Sequence, residues 1–370
     1  LAEVSTTCIV LNRSALEPLL SEHPQLAAFL TQVLGQRLEE GGGMERVGKY
    51  RLLRCIGEGT TGRVYEALHP GLDRLVAVKM LSHALVYHDG FRDRFLEEAR
   101  TVARLSHSNI VQVYDTEAAY ATYFIVMERL GGTDLAQVLQ TRKVLPPEEA
   151  IAILRQVALA LETAHRMGFA HRDVKPGNVA LDERGGVKLM DFGLARPILK
   201  DAEGRRSKTV EGTPQYLAPE AAIGQVPDGR ADVYALGVMA FEMVTGTLPF
   251  VADQVVDMLK AHVRQPPPEV TELRPDLPAP LVELIRGALI KKPGERLTDW
   301  GRIRELLEPP RRPVEVWANA RETVVRIRHL PEASERVERA VAKLVEDLES
   351  TTGVELAQGT LAPTSRARGT

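Results

Sequence analysis

Cysteine is nearly missing from this sequence: Cys8 and Cys55 are the two among 370 residues. Two cannot form a disulfide framework, and neither sits at a metal-ligand spacing, which excludes a stapled secreted domain and a zinc module. A reducing, cytoplasmic compartment is the expectation. An excess of one charge is also lacking. The net charge of −3 gives no electrostatic footprint for nucleic acid or for a membrane surface, so neither is expected as a partner. No apolar run is long enough to cross a bilayer; the best stretch, 231–250, is broken by Asp232, Glu242 and Pro249. The chain opens on Leu1 with no basic-then-apolar leader, which reads as a processed or truncated form. Internal repeats are absent. What remains is a composition ordinary for a globular protein, 44% hydrophobic and 26% charged, with length enough for two to three domains.

Three segments separate along the chain. Residues 1–43 read as a strand at Thr7–Leu11, then a helix opened by the capping box Ser14-x-x-Glu17. A second helix starts at Pro24, with Leu26, Phe29, Leu30, Val33, Leu34 and Leu38 as its apolar stripe, and Gly41-Gly42-Gly43 breaks it off. The body, 50–307, begins with strands at Tyr50–Ile56, Arg63–Leu68 and Leu75–Met80, divided by glycine turns. From Leu135 it turns helical, with one long helix from Pro146-Pro147 to Gly168. The predicted class is α+β: a small antiparallel-sheet lobe over about 50–129 and a larger helical lobe over about 130–307. After the proline-rich 308–313, residues 314–370 carry a strand–helix pattern to which no role attaches.

The string Gly57-Glu58-Gly59-Thr60-Thr61-Gly62 is a G-x-G-x-x-G, which alone fits any tight turn. A dinucleotide fold needs it to open a helix, but Arg63-Val64-Tyr65-Glu66-Ala67 continues as a strand. A glycine loop inside a hairpin suits backbone amides approaching phosphates. The next strand ends Val76-Ala77-Val78-Lys79, and a lysine there reads as a phosphate contact held by a carboxylate. Glu98 is the choice for that carboxylate, with Glu97 its alternative. Far more specific is His171-Arg172-Asp173-Val174-Lys175-Pro176-Gly177-Asn178, followed by Asp191-Phe192-Gly193. Phosphoryl transfer passes through a loose transition state, so the protein mainly positions groups and neutralises charge. Asp173 can accept a hydroxyl proton, Lys175 can neutralise the moving group, and Asn178 with Asp191 can hold a metal that bridges phosphates.

These strings together resemble the eukaryotic-like serine/threonine protein kinases of bacteria, over about Tyr50 to Leu307. The resemblance implies the two-lobed kinase fold, ATP with Mg²⁺ (or Mn²⁺), and serine or threonine hydroxyls of protein substrates. It implies Asp173, Lys175, Lys79 and Glu98 as catalytic, and Asn178 and Asp191 at the metal. ATP would meet Ile56, Gly57, Glu58, Gly59, Thr60, Thr61, Gly62, Val64, Ala77 and Lys79, with Met127, Glu128 and Leu130 at the hinge. Val102, Val113, His171 and Phe192 match the apolar stack that aligns the lobes; Arg296 should pair with Glu220, and Asp232 matches the aspartate of the following helix. Lys175 and the run Gly212-Thr213-Pro214-Gln215-Tyr216 follow the serine/threonine pattern, with Thr213 in the substrate loop. Three departures stand out: Thr61 at the glycine-loop tip, Ala180 beneath the adenine, and Gly177 where arginine-directed kinases often carry glutamate.

Regulation follows from the same resemblance. Arg172 beside Asp173 is a positive charge that a phosphate on the activation segment would pair with, and Thr209, then Ser207, are the phosphosite choices. A homodimer would serve trans-autophosphorylation. The segment before the body resembles the last strand and C-terminal helices of a cyclic-nucleotide-binding domain, carried by Thr7–Leu11, Leu16–Leu20, His23-Pro24 and Gln36–Leu38; its other reading is a helical extension that packs on the small lobe. Its phosphate-binding cassette would lie before Leu1, so this chain should not bind a cyclic nucleotide. The rival from another class is a pseudokinase scaffold, disfavoured because Lys79, Asp173 and Asp191 are all present.

Overall fold

The computed structural model describes residues 13–39, 46–59, 62–87, 91, 95, 99, 102–182, 184–192, 213–308 and 343. Contacts divide the chain into the units Leu1–Arg311 and Arg312–Thr370, and all that follows concerns the first. The expected strand at 7–11, the glycine break at 41–43 and nearly all of 314–370 lie outside the described residues.

Helix α1 runs Arg13–Glu22 and helix α2 runs Pro24–Glu39. Helix α1 thus begins one residue before Ser14, where the sequence pattern places its opening. A six-stranded antiparallel sheet follows, from β1 (Arg46–Val47), β2 (Tyr50–Gly59), β3 (Gly62–His69), β4 (Arg74–Leu81), β5 (Val113–Ala119) and β6 (Thr122–Glu128). Its spatial order is β1-β2-β3-β4-β6-β5. Each hairpin pairs neighbours in sequence, as short glycine or two-residue turns require. The short helix α3 (His83–Val86) follows β4, with Ser82 accepting the Leu85 amide as its N-cap.

Alternation gives this sheet two faces. Tyr65, Ala67, Val76, Val78, Met80, Phe124 and Val126 form one buried cluster, which Leu34 and Leu38 of α2 complete. The covering face of α2 is Ala27, Thr31, Leu34, Gly35 and Leu38. This corrects the expected stripe: Leu26 and Phe29 are exposed, Phe29 by 58%, although Leu34 and Leu38 are buried as expected. Small residues win the contact because the helix lies close against the lobe. Thr31 Oγ1 accepts the His83 amide at 2.8 Å and meets His83 Nδ1 at 2.9 Å.

The second lobe is helical. Helix α4 (Leu135–Arg142) is capped by Asp134, and α5 (Pro147–Arg166) starts on the proline that its first turn tolerates. Three short strands, β7 (Thr133–Asp134), β8 (Val179–Leu181) and β9 (Val187–Leu189), form a second small sheet. Then come α6 (Pro219–Ala222), α7 (Gly229–Thr245), α8 (Val255–Arg264), α9 (Val270–Leu273), α10 (Ala279–Ala288) and α11 (Trp300–Leu306). Helix α7 is buried nearly all round, as its apolar composition dictates, and packs on α5 and α10. Helix α5 buries Ile151, Leu154, Ala158 and Leu161 on one face.

Candidate active site

The glycine motif closes the β2–β3 hairpin. Gly57 lies opposite Val64, Glu58 opposite Arg63 and Gly59 opposite Gly62, while Thr60 and Thr61 fall outside the described residues. Only one of these glycines is required by the protein's own packing. Gly62 has φ +144°, and a Cβ there would overlap the Met80 carbonyl oxygen. At Gly59 a Cβ would meet nothing within 4 Å, and at Gly57 only Val64 Cβ at 3.9 Å. The bare backbone at these two positions leaves open space that a polyphosphate can use.

Cross-strand partners put their side chains on one face. Val64, Lys79 and Ile125 are in register, as are Ala77 and Met127, so β3, β4 and β6 present them together on the face opposite the α2 cluster. Ala77 is buried, Val64, Met127, Glu128 and Leu130 are half-buried, and Ile56 is exposed. That apolar strip suits a flat heterocycle. Glu128 is fixed at the end of β6: its amide donates to Gln112 O at 2.9 Å, and its carboxylate pairs with Lys188 Nζ at 2.9 Å. Ala180, the small residue expected beneath the ring, is buried in β8.

Lys79 Nζ donates to Asp191 Oδ2 at 2.7 Å. Burial alone would raise the Asp191 carboxyl, but the Lys79 ammonium, together with His171 and Lys175, outweighs it and holds the group below the usual carboxylate range. Glu97 and Glu98, the expected partners of Lys79, lie outside the described residues. Near them, Phe91, Phe95, Ala99 and Val102 are buried at spacings of one helical face.

The loop from His171 to Asn178 is built around Asp232, a carboxylate buried at the start of α7. Asp232 accepts the His171 amide at 2.7 Å, the Arg172 amide at 2.7 Å and His165 Nε2 at 2.8 Å. Those bonds hold Arg172 at φ +63°, a left-handed conformation that costs a non-glycine residue on the order of 1–2 kcal/mol. Asp191 is left-handed too, at φ +57°. The Asp173 amide donates to His171 Nδ1 at 3.2 Å, so the ring proton sits on Nε2, which donates to Met190 O at 2.8 Å. Phe192 packs on this ring with centroids 4.5 Å apart, and Val102, Val113, His171 and Phe192 are all buried as the expected stack requires.

Around Asp173 the expected groups converge. Lys175 Nζ lies 3.0 Å from Asp173 Oδ2 and donates to Thr213 Oγ1 at 2.9 Å. Asn178 Nδ2 donates to Asp173 O at 2.7 Å and to Asp173 Oδ2 at 3.0 Å. The amide nitrogen of Asn178 is thereby committed, leaving its oxygen as the donor a cation could take. With the Asp191 carboxylate, two hard oxygens are available to a cation. No cluster of three or more His, Cys, Asp or Glu suited to a metal occurs among the described residues. Two protein oxygens plus phosphates and water fit Mg²⁺, which rarely takes an all-protein cage.

Glu220 of α6 pairs with Arg296: its two oxygens accept from Arg296 Nη1 at 2.8 Å and Nη2 at 2.9 Å. Thr209 and Ser207 lie outside the described residues. Reading the sequence matched Asp232 to its family position but missed all three of its bonds, the one to His165 included. Gly229 was the available signal, because a side chain there would strike the His165 ring.

Comparison with known proteins agrees with this geometry. The family described as Protein kinase domain matches residues 50–310. Serine/threonine-protein kinase PksC of Streptomyces coelicolor is 41% identical over 258 residues, which span 67% of this chain and 46% of that protein. Serine/threonine-protein kinase PknA of Mycobacterium tuberculosis is 39% identical over 264 residues, spanning 70% of this chain and 60% of that one. The crystal structure of the Mycobacterium tuberculosis PknI kinase domain superposes with a TM-score of 0.58 at 32% identity, covering 71% of this chain and 96% of that domain. The chain belongs to the protein kinase family, in its bacterial serine/threonine branch. It spans less than two thirds of those two curated relatives. Members of this family use ATP with a divalent metal. No helix among the described residues is long and apolar enough to cross a membrane.

Proposed function

We propose that this protein phosphorylates serine and threonine hydroxyls of protein substrates, with Asp173 as the general base. The observation that carries the reading is the convergence of Lys175 and Asn178 on Asp173, with Thr213 held by the same lysine, beside the Lys79–Asp191 pair. Asp173 takes the proton as the hydroxyl oxygen bonds to the γ-phosphorus; the bond from γ-phosphorus to the β-phosphate oxygen breaks, and ADP leaves with that electron pair. Lys175 offsets negative charge growing on the transferring group and, through Thr213, ties the base to the substrate segment. Lys79 orients the phosphates, with Glu98 as its proposed second partner. Asp191 and Asn178 would hold Mg²⁺ (or Mn²⁺), which supplies neutralisation of the phosphate charge. The glycine loop, Val64, Ala77, Met127, Glu128 and Leu130 would bind ATP itself.

Three finer readings go with it. Residues 1–43 are the remnant of a cyclic-nucleotide-binding domain, supported by the α1–α2 helix pair and its sequence pattern. The scarcity of cysteine supports a cytoplasmic setting, and the near-neutral charge speaks against a nucleic-acid partner. Transfer onto the chain's own activation segment would need a second copy, hence a transient homodimer.

The test is label from γ-³²P-ATP on a generic protein acceptor, with phosphorylated residues mapped by mass spectrometry. Asp173→Asn should bind ATP normally and slow transfer by about 100- to 10,000-fold. Wild-type rates in that variant would remove Asp173 from the role of base. A wild-type chain that binds nucleotide but transfers no label would favour a scaffold.

A further inference from the structure

The end of helix α2 reaches the glycine-rich loop through one side chain. Arg63, the residue after Gly62 in β3, spreads its guanidinium between two carboxylates on different elements. Its Nη1 donates to Glu39 Oε1 at 2.8 Å, at the last residue of α2. Its Nε and Nη2 donate to Glu58 Oε1 at 3.1 and 2.9 Å, inside the glycine motif. Although both carboxylates are largely exposed, the Arg63 side chain is only 15% exposed. What shelters it is α2, through Gly35. A Cβ at position 35 would sit 2.7 Å from Arg63 Cζ and 2.9 Å from Cδ, so any larger residue there must push the guanidinium away.

Glycine is a poor choice for a helix interior, and α2 has one at the position facing Arg63. The contact explains it: the planar guanidinium lies against bare backbone, with Leu34 and Leu38 fixing the helix on the sheet on either side. The fork of an arginine can serve two carboxylates at once, which a lysine cannot match. The electrostatics also matter. Glu58 places a negative charge in the loop that would cover the phosphates of ATP, and Arg63 pairs with it.

We infer that Arg63 is a positioning residue for the glycine-rich loop, seated by Gly35 and Glu39 of α2, so that the N-terminal helix sets nucleotide affinity. The inference rests on the kinase reading above. It gives the segment before the catalytic body a physical route to the ATP site: a displacement of α2 releases Arg63, and Glu58 then faces the phosphates unpaired and mobile.

The experiment measures the dissociation constant of a fluorescent ATP analogue with Mg²⁺, together with the thermal midpoint, on the full chain. Arg63→Gln should weaken binding about three- to ten-fold, in the range expected when partly exposed ion pairs are lost. Gly35→Ala keeps every charge and should weaken binding about two- to five-fold, while its thermal midpoint stays level or rises because alanine favours helix. In a Glu58→Gln background, Arg63→Gln should add less than about two-fold, since the charge it neutralised is gone. Tight binding in both single variants would overturn the inference while leaving the kinase reading intact. So would a lowered thermal midpoint in Gly35→Ala with unchanged affinity, which marks mere packing. Failure of the wild type to bind the analogue would instead overturn the kinase reading and this inference together.

Discussion

Lys79 of β4 and Asp191, 112 residues further along, share a hydrogen bond of 2.7 Å that joins the sheet lobe to the helical lobe. The lysine is buried and the carboxylate partly open, so the pair stands at the boundary where ATP and metal would enter. The same two charges have separate proposed tasks, aligning phosphates and holding the metal. Lys79→Met and Asp191→Asn should each abolish measurable transfer. Raised Mg²⁺ should restore part of the activity of Asp191→Asn, where the metal site is weakened but retains Asn178. It should do nothing for Lys79→Met. Equal rescue of both in a Mg²⁺ titration would deny them separate roles.

The Glu220–Arg296 pair is a stability element that can be tested without any activity measurement. Arg296 is fully buried at its side chain and Glu220 nearly so. The guanidinium also donates to the carbonyls of Ile290, Arg230 and Lys291, so the buried donors are fully used. A buried pair of this kind adds little over an apolar replacement, but removing one partner strands the other. Arg296→Ala should cost about 3–5 kcal/mol in denaturant unfolding. Loss below about 1 kcal/mol would mean that water or a neighbour takes over the Glu220 carboxylate.

Much of this arrangement was legible in the sequence because its signals are local. Glycines at 57, 59 and 62 mark a hairpin, and the run from His171 to Asn178 fixes spacing between a base, a cation and an amide. What was not legible depends on a partner surface. Helix α2 offers two apolar stripes, and the sheet selected the one carrying Thr31 and Gly35 because small residues permit close approach. A hydrophobic count favoured Leu26 and Phe29, which face outward. The left-handed backbone at Arg172 and Asp191 was also hidden, since neither residue type advertises it. Asp232 could be matched to its family position, but its hold on two consecutive amides appears only once α7 is packed beneath the loop.

A pH dependence follows from His262 on α8. The ring is fully buried, its Nδ1 lies 3.0 Å from Tyr234 Oη, and Lys291 projects over the neighbouring Phe250 ring at 4.0 Å. Burial, assisted by the Lys291 charge, pushes His262 down to about 4. In the unfolded chain it titrates near the ordinary 6.5. Between those values the unfolded state binds the extra proton, so stability is complete above about pH 6.5 and falls as pH drops toward 4. At pH 4.5 the loss from this residue should reach about 2–3 kcal/mol. His262→Gln should therefore lose less stability than wild type on acidification from pH 7 to 4.5, by that amount. Parallel unfolding curves for the two proteins would show that His262 does not carry the acid sensitivity.

The last prediction concerns activation. Thr213 accepts from Lys175 at 2.9 Å, which suits a structural hydroxyl and leaves Thr209 as the proposed phosphosite. A phosphate there adds about −1.5 to −2 charge and three strong acceptor oxygens. Arg205 and Arg206 are near it in sequence, and Arg172 flanks the base. A dianion offers Arg172 a bidentate, charge-assisted partner, which would fix the segment between Asp191 and Glu220. Thr209→Ala should then depress transfer to an added substrate more than Ser207→Ala does, and should delete the main autophosphorylation site found by mass spectrometry. Phosphatase treatment of the wild type should reproduce the Thr209→Ala rate. The decisive reading is the initial rate of dephosphorylated enzyme, taken before it can relabel itself. A full rate at that point would mean that phosphorylation of the segment is not the switch, even with the Asp173 assignment standing.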